Sequence, residues 1–288
     1  MKSIRQNVLI FLSLLFMPLQ LSAQQWQLVW SDEFTSNGRP NPNTWNFEQG
    51  FVRNHEDQWY QEQNAWQQDG LLVIEARHEQ GLPNPTYQPN SRQWGRQRET
   101  IDYTSACLTT QDKRTFLYGR LEVSARIPTA SGAWPAIWTL SSEQLWPSCG
   151  EIDIMEFYRI NDVPHILANA AWGNDEPYQA VWNSRKVPFD HFTNRDASWA
   201  QRFHVWRMDW DERFIQIYLD DELINEIPLS STVNGSIGHH SNPFHRPQYI
   251  LLNLALGGDN GGTIDNEALP LRYEIDYVRL YEKVNPAE

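Results

Sequence analysis

The run Cys149-Gly150-Glu151-Ile152-Asp153-Ile154-Met155-Glu156-Phe157-Tyr158 sets three carboxylates into an otherwise apolar stretch. Acidic and apolar residues alternate from Glu151 to Ile154, so Glu151 and Asp153 share one face of a strand. Strict alternation would turn Glu156 the other way, among core residues, where an unpaired carboxylate is costly. One extra residue in a β-bulge around Ile154-Met155 returns Glu156 to the face of the other two. Three carboxylates on one face repel one another, so the arrangement implies a use. Glycoside hydrolysis supplies one, because a retaining enzyme needs a carboxylate nucleophile and a protonated carboxylic acid roughly 5–5.5 Å apart across the scissile bond. A third carboxyl between them can share a proton and hold their pKa values apart. A solvated strand face and a cation site are the competing readings.

Short runs rich in β-branched and aromatic residues, separated by Gly, Pro, Asn and Asp, must position this strand. They include Leu71–Ala76, Tyr118–Arg126, Phe203–Trp210, Phe214–Leu219 and Tyr273–Tyr281. Several alternate apolar and polar residues, as strands with one wet face do. Asp220-Asp221-Glu222 has the composition of a hairpin turn, and only the stretch near Trp199-Ala200-Gln201 suggests a helical turn. Many strands and almost no helix predict an all-β fold of two antiparallel sheets packed face to face. Such a sandwich can curve and leave a groove for an extended chain.

Residues 1–23 read as an export signal, with Lys2 and Arg5 before an apolar run from Val8 to Met17 and Ser22-Ala23 before a cut at Gln24. The run is too short to span a bilayer, and no similar stretch follows it. No cysteine adjoins the cut, which argues against a lipid anchor. The expectation is a secreted or periplasmic protein, without membrane insertion, whose residues 24–288 form one catalytic domain. Cys107 and Cys149 either pair in an oxidising compartment or are two small buried residues. Loss of Lys2 and Arg5 takes the net charge from −13 to −15. That argues against nucleic acid or an anionic membrane as partner and against a densely sulfated substrate. A neutral polysaccharide suits the charge, and the 14 tryptophans and 11 tyrosines offer flat faces for pyranose rings, although most of them should fill the core.

Glu151-Ile152-Asp153-Ile154-Met155-Glu156 resembles the signature of glycoside hydrolase family 16 in its bulged version, that of laminarinases and agarases rather than lichenases. The resemblance runs through nearly the whole mature chain. Trp30-Ser31-Asp32-Glu33-Phe34 resembles the family's opening strand, Gly132–Trp138 the strand leading to the active site, and Leu251–Gly258 and Asp276–Tyr281 its closing strands. It implies a concanavalin A-like jelly-roll sandwich with a concave cleft, and hydrolysis with net retention. Carried onto matching positions, Glu151 is the nucleophile, Glu156 the acid/base, and Asp153 the residue that tunes Glu151. An enzyme working near neutral pH would hold Glu156 protonated at rest.

The same resemblance marks Trp134 and Trp146 as sugar-stacking residues. Asn54, in Arg53-Asn54-His55-Glu56-Asp57-Gln58-Trp59-Tyr60, resembles the start of a laminarinase loop on the sugar-donor side. Arg120 is a candidate for the catalytic face, with a structural ion pair as the equal alternative. Trp172 resembles an aromatic that follows a histidine in laminarinases, and here Ala171 holds the histidine's place. That departure, with unusual loops around Asn54 and Tyr178, leaves the reaction class intact and opens the question of the substrate. No cofactor is expected for catalysis. Members of the family often bind one structural Ca2+, for which Glu33 and Asp276 match ligand positions. His239, His240 and His245 have no metal-site spacing.

The resulting expectation is an endo-acting hydrolase of a neutral β-1,3- or mixed β-1,3/1,4-glucan, with monomer as the default state. An endo-β-galactosidase on galactan, agar-like or poly-lactosamine chains is the nearest rival. A lectin-like module that binds without cutting is a further one, and a transglycosylase would use the same intermediate.

Overall fold

The computed structural model describes residues 25–284, so the export signal expected over residues 1–23 lies outside the described part of the chain. Among the described residues seventeen strands succeed one another with only short helical turns between them. The first eight are β1 (Gln25–Asp32), β2 (Asn46–Phe47), β3 (Gln58–Tyr60), β4 (Ala65–Gln68), β5 (Leu71–Pro83), β6 (Thr100–Ser105), β7 (Cys107–Thr109) and β8 (Gly119–Arg126). Next come β9 (Ala133–Leu140), β10 (Glu151–Ile160), β11 (Val163–Gly173), β12 (Ala180–Pro188) and β13 (His204–Trp210). The last are β14 (Phe214–Leu219), β15 (Glu222–Pro228), β16 (Tyr249–Leu256) and β17 (Leu271–Val284). Every run read as a strand from its composition falls within one of these to within one residue. Asp220, with φ +53°, turns β14 into β15, and Trp199–Gln201 forms a single 3-10 turn.

The strands build two sheets. A seven-stranded sheet has the order β12-β11-β10-β9-β16-β7-β2, and a ten-stranded sheet follows β15-β14-β13-β8-β17-β5-β6-β3 with β1 and β4 added at its flanks. Period-2 alternation decides which side chains meet between them. In β13, His204, Trp206, Met208 and Trp210 are buried while Val205, Arg207 and Asp209 are not. Of these, Trp206, Met208 and Trp210 pack with Leu121, Val123, Ile215 and Ile217 of one sheet and Ile152, Ile154, Phe157, Ile166, Leu252 and Leu254 of the other. The outer face of the seven-stranded sheet is left free, and it carries the cleft. Cys107 and Cys149 are both buried free thiols, so the unpaired alternative holds.

Candidate active site

The bulge expected in the carboxylate strand is present. Asp153 of β10 pairs with Trp138 of β9 and Met155 with Ile137, so Ile154 is the extra residue. Across the other ladder, Asp153 pairs with Asn169 and Glu156 with Leu167. Ile154 and Met155 both join the core, and the face parity of Glu156 is restored. Glu151, Asp153 and Glu156 all line a cleft of about 710 Å³.

Cross-strand registers order its floor into rows. Tyr249, Leu140, Glu151, Ala171 and Trp182 are successive Cα partners from β16 to β12. The next row is Leu251, Trp138, Asp153, Asn169 and Ser184, and the third is Asn253, Ala136, Glu156, Leu167 and Lys186. The catalytic candidates therefore lie in the middle of a surface several strands wide.

Each carboxylate has a specific donor. Trp146 Nε1 donates to Glu151 Oε2 at 2.7 Å, and Trp134 Nε1 to Glu156 Oε1 at 2.8 Å. Asn169 Nδ2 reaches Asp153 Oδ2 at 3.1 Å and Glu156 Oε2 at 2.8 Å. Trp138 Nε1 donates to Asn253 Oδ1 at 2.7 Å, and the Arg53 guanidinium lies over the Trp138 ring, 5.0 Å from its centroid. Arg53 also pairs with Glu48. Burial works against its charge, and the neighbouring carboxylates of Glu48 and Glu56 more than offset that, so a firmly held cation borders the cleft.

Burial pushes all three carboxyls up. For Glu151 the Trp146 N–H, the Arg53 charge and Asp153 oppose the rise without cancelling it. Asp153 is raised well above the usual carboxylate range by burial and then by the charges of Glu156 and Glu151. Glu156 is raised to about 7 by burial, with the Glu151 charge acting in the same direction and the Trp134 and Asn169 donors opposing it. The site can thus hold an anion at Glu151 and a proton at Glu156 in the same pH range, the division of labour that glycoside hydrolysis requires.

Trp134, Trp146 and Asn54 line the cleft with the carboxylates. Asn54 sits at φ +52°, and its carbonyl accepts from Asp259 N at 2.9 Å. Gly258, at φ +63°, packs so closely there that a Cβ would fall 2.6 Å from that carbonyl oxygen. Arg120 is a correction: it belongs to β8 of the other sheet, where Nε and Nη2 bind Asp209 at 2.6 and 2.8 Å. Trp172 is another, because it follows Ala171 in β11 and alternation turns it into the core. Glu33 is committed to Arg279, which donates to both its oxygens at 2.9 and 2.8 Å and holds it below the usual range. Asp276 sits in a bulge of β17. Among the described residues no three His, Cys, Asp or Glu side chains gather as metal ligands. The side chains present therefore do not form a carboxylate cage for calcium at Glu33 and Asp276.

Sequence reasoning missed Asn169, Trp182, Arg53 and Asn253. Asn169 was legible in principle, since it lies two residues before Ala171 on the cleft face. Trp182 was not, because only the β11–β12 register brings it opposite Ala171. The small Ala171 side chain separates Glu151 from Trp182, which is 46% exposed.

The pattern of glycosyl hydrolases family 16 matches residues 52–279. A β-glucanase of Rhodothermus marinus is 36% identical over 291 residues, spanning 96% of this chain and 93% of its own length. A solved structure of the endo-acting O-glycanases that members of the human gut microbiota express to initiate mucin breakdown superposes with a TM-score of 0.77. It is 33% identical and spans 89% of this chain and 91% of that one. The laminarinase catalytic domain of Thermotoga maritima gives a TM-score of 0.71 at 33% identity, over 90% of this chain and 99% of that one. With the bulged carboxylate strand, the matched pattern and these superpositions in agreement, the chain belongs to glycosyl hydrolases family 16 and has its jelly-roll fold.

Proposed function

We propose that the protein is an exported, retaining endo-β-glycanase that cuts internal β-1,3 or mixed β-1,3/1,4 linkages of a neutral glucan. The observation that carries the chemistry is the bulge at Ile154, which puts Glu151, Asp153 and Glu156 on one face of β10 with Glu156 raised to about 7. Glu151 attacks the anomeric carbon while Glu156 gives its proton to the departing glycosidic oxygen. Glu156, now ionised, takes a proton from water as that water opens the glycosyl ester on Glu151. Two inversions leave the configuration retained. Asp153 holds a proton toward Glu151 and accepts from Asn169 Nδ2, which bridges Asp153 and Glu156. Trp134 and Trp146 place aromatic rings beside the reacting sugar while their N–H groups hold the two glutamates.

The carboxylate pair carries both half-reactions without a cofactor. A structural calcium ion at Glu33 would compete with Arg279 for its carboxylate, and a chelator's effect on the melting temperature reads whether one binds. Export rests on the leader at residues 1–23, and the protein acts as a monomer. No helix among the described residues is long and apolar enough to cross a membrane.

The glucan reading is supported by the β-glucanase and laminarinase relatives. An endo-β-galactosidase acting on galactan, agar-like or poly-lactosamine chains is the second reading. Ala171 beside Glu151 and the likeness to mucin-directed O-glycanases favour it. Incubation with laminarin, mixed-linkage glucan, agarose, a β-galactan and a poly-lactosamine glycan decides between them. Short glucose oligomers sustain the first reading, and galactose-ended fragments replace it with the second. Products longer than the substrate would show transglycosylation.

A further inference from the structure

A second hollow, of about 310 Å³, opens beside the catalytic cleft and shares Trp146 with it. Leu145, Pro147, Pro177, Tyr178 and Ile237 complete most of its wall. Apart from the buried Pro147 these side chains are unusually exposed for their type, with Leu145 at 78% and Tyr178 at 74%. Clustered apolar groups left in water mark a binding surface more often than chance decoration.

The hollow is also rigidly built. Asn234, buried between three loops, accepts from Gly173 N at 2.7 Å and donates to Ser148 O at 2.9 Å. Ser236 N donates to Asp175 Oδ1 at 2.7 Å, and a Cβ on Gly235 would meet the Asn174 carbonyl carbon at 2.4 Å. The loops bearing Leu145, Tyr178 and Ile237 are therefore locked against one another, and the exposed rings are presented rather than left to collapse. Polar groups sit at the rim, among them Gln144, Glu176 and His239.

We propose that this hollow is a distal sugar-binding subsite, in which Trp146 and Tyr178 offer aromatic faces to a further pyranose of the bound polysaccharide. Continuity with the cleft through Trp146 identifies the occupant as part of the same substrate, and the polar rim meets its hydroxyls. The inference rests on the endo-glycanase reading above. The pyranose belongs either to the main chain or to a branch.

Tyr178→Ala and Leu145→Ser are the variants to compare with wild type, each first checked for an unchanged melting temperature. Substrates are linear oligosaccharides of increasing length, a linear polymer and a branched polymer. The proposal expects Tyr178→Ala to lower kcat/KM on long substrates by about tenfold, mainly through KM. The shortest oligosaccharide that wild type cleaves should be hydrolysed as before. A loss on linear chains assigns the hollow to the main chain, and a loss confined to the branched polymer assigns it to a branch. Equal losses at every length, or none at any, overturn the subsite. If wild type cleaves no glucan, the substrate reading has failed instead, and the same comparison on the galactan or poly-lactosamine chain that it does cleave still tests the subsite.

Discussion

Trp134 and Glu156 are joined by an indole N–H···O hydrogen bond of 2.8 Å, so a ring that lines the cleft also tempers the acidity of the group beside it. Burial raises Glu156 to about 7, and the Trp134 bond restrains that rise because it favours the anion. Turnover should fall on the alkaline side as Glu156 loses its proton, with a midpoint near pH 7. On the acid side it should fall as Glu151 becomes protonated, above the usual glutamate range. Trp134→Phe keeps a ring and removes the N–H, which should move the alkaline limb to higher pH. A limb that stays in place or moves down contradicts this role.

Glu156→Gln should lower turnover by about 10²–10⁴-fold, the range expected for losing a positioned general acid. Glu151→Ala should fall to background, because no nucleophile remains. Both should retain the wild-type circular dichroism spectrum. Substantial hydrolysis by a folded Glu151→Ala protein would sink the mechanism.

Glu156 also couples activity to stability. Its raised pKa means that the folded chain holds the proton more tightly than the unfolded chain does. The stability this contributes is complete in acid and is lost as pH rises through about 7. Glutamine has no charge to bury. Glu156→Gln should therefore melt higher than wild type at pH 8, by about 2–4 °C for each kcal/mol relieved, and no higher at pH 5. Equal melting temperatures at pH 8 would show that water or a cation screens the ionised carboxylate.

Arg120→Ala should destabilise the protein by about 1–3 kcal/mol, since it removes the bidentate partner of a largely buried Asp209 and leaves it the more distant Arg207, 3.9 Å away. It should leave KM unchanged, because the pair stands on the sheet opposite the cleft. Denaturation and steady-state kinetics on one preparation separate the two effects. A rise in KM without loss of stability would return Arg120 to the substrate.

Trp182→Ala should raise KM by about tenfold with little change in kcat. Its ring is exposed at the cleft in the same row as Glu151, with Ala171 between them. A fall in kcat alone would mean that the ring acts on the chemistry and not on binding.

By itself the sequence determined the fold class, several of the strands and the set of three carboxylates on one strand face. These are local properties. Alternation reports which way each side chain of a strand points, and Glu151, Asp153 and Glu156 cannot share a face without one extra residue, so even the bulge at Ile154 was implied. Only the tertiary structure decided which strands became neighbours and in what register. Arg120 alternates as a cleft residue would, yet β8 was placed in the opposite sheet. Trp172 lies one residue beyond the cleft-facing Ala171 and so points into the core, while Trp182 enters the site through the β11–β12 pairing. Asn169 meets Asp153 and Glu156 across a ladder, and the Trp146–Tyr178 hollow is assembled from three loops far apart in the chain. Such contacts depend on pairing energies summed over whole sheets, and no single stretch of residues carries them.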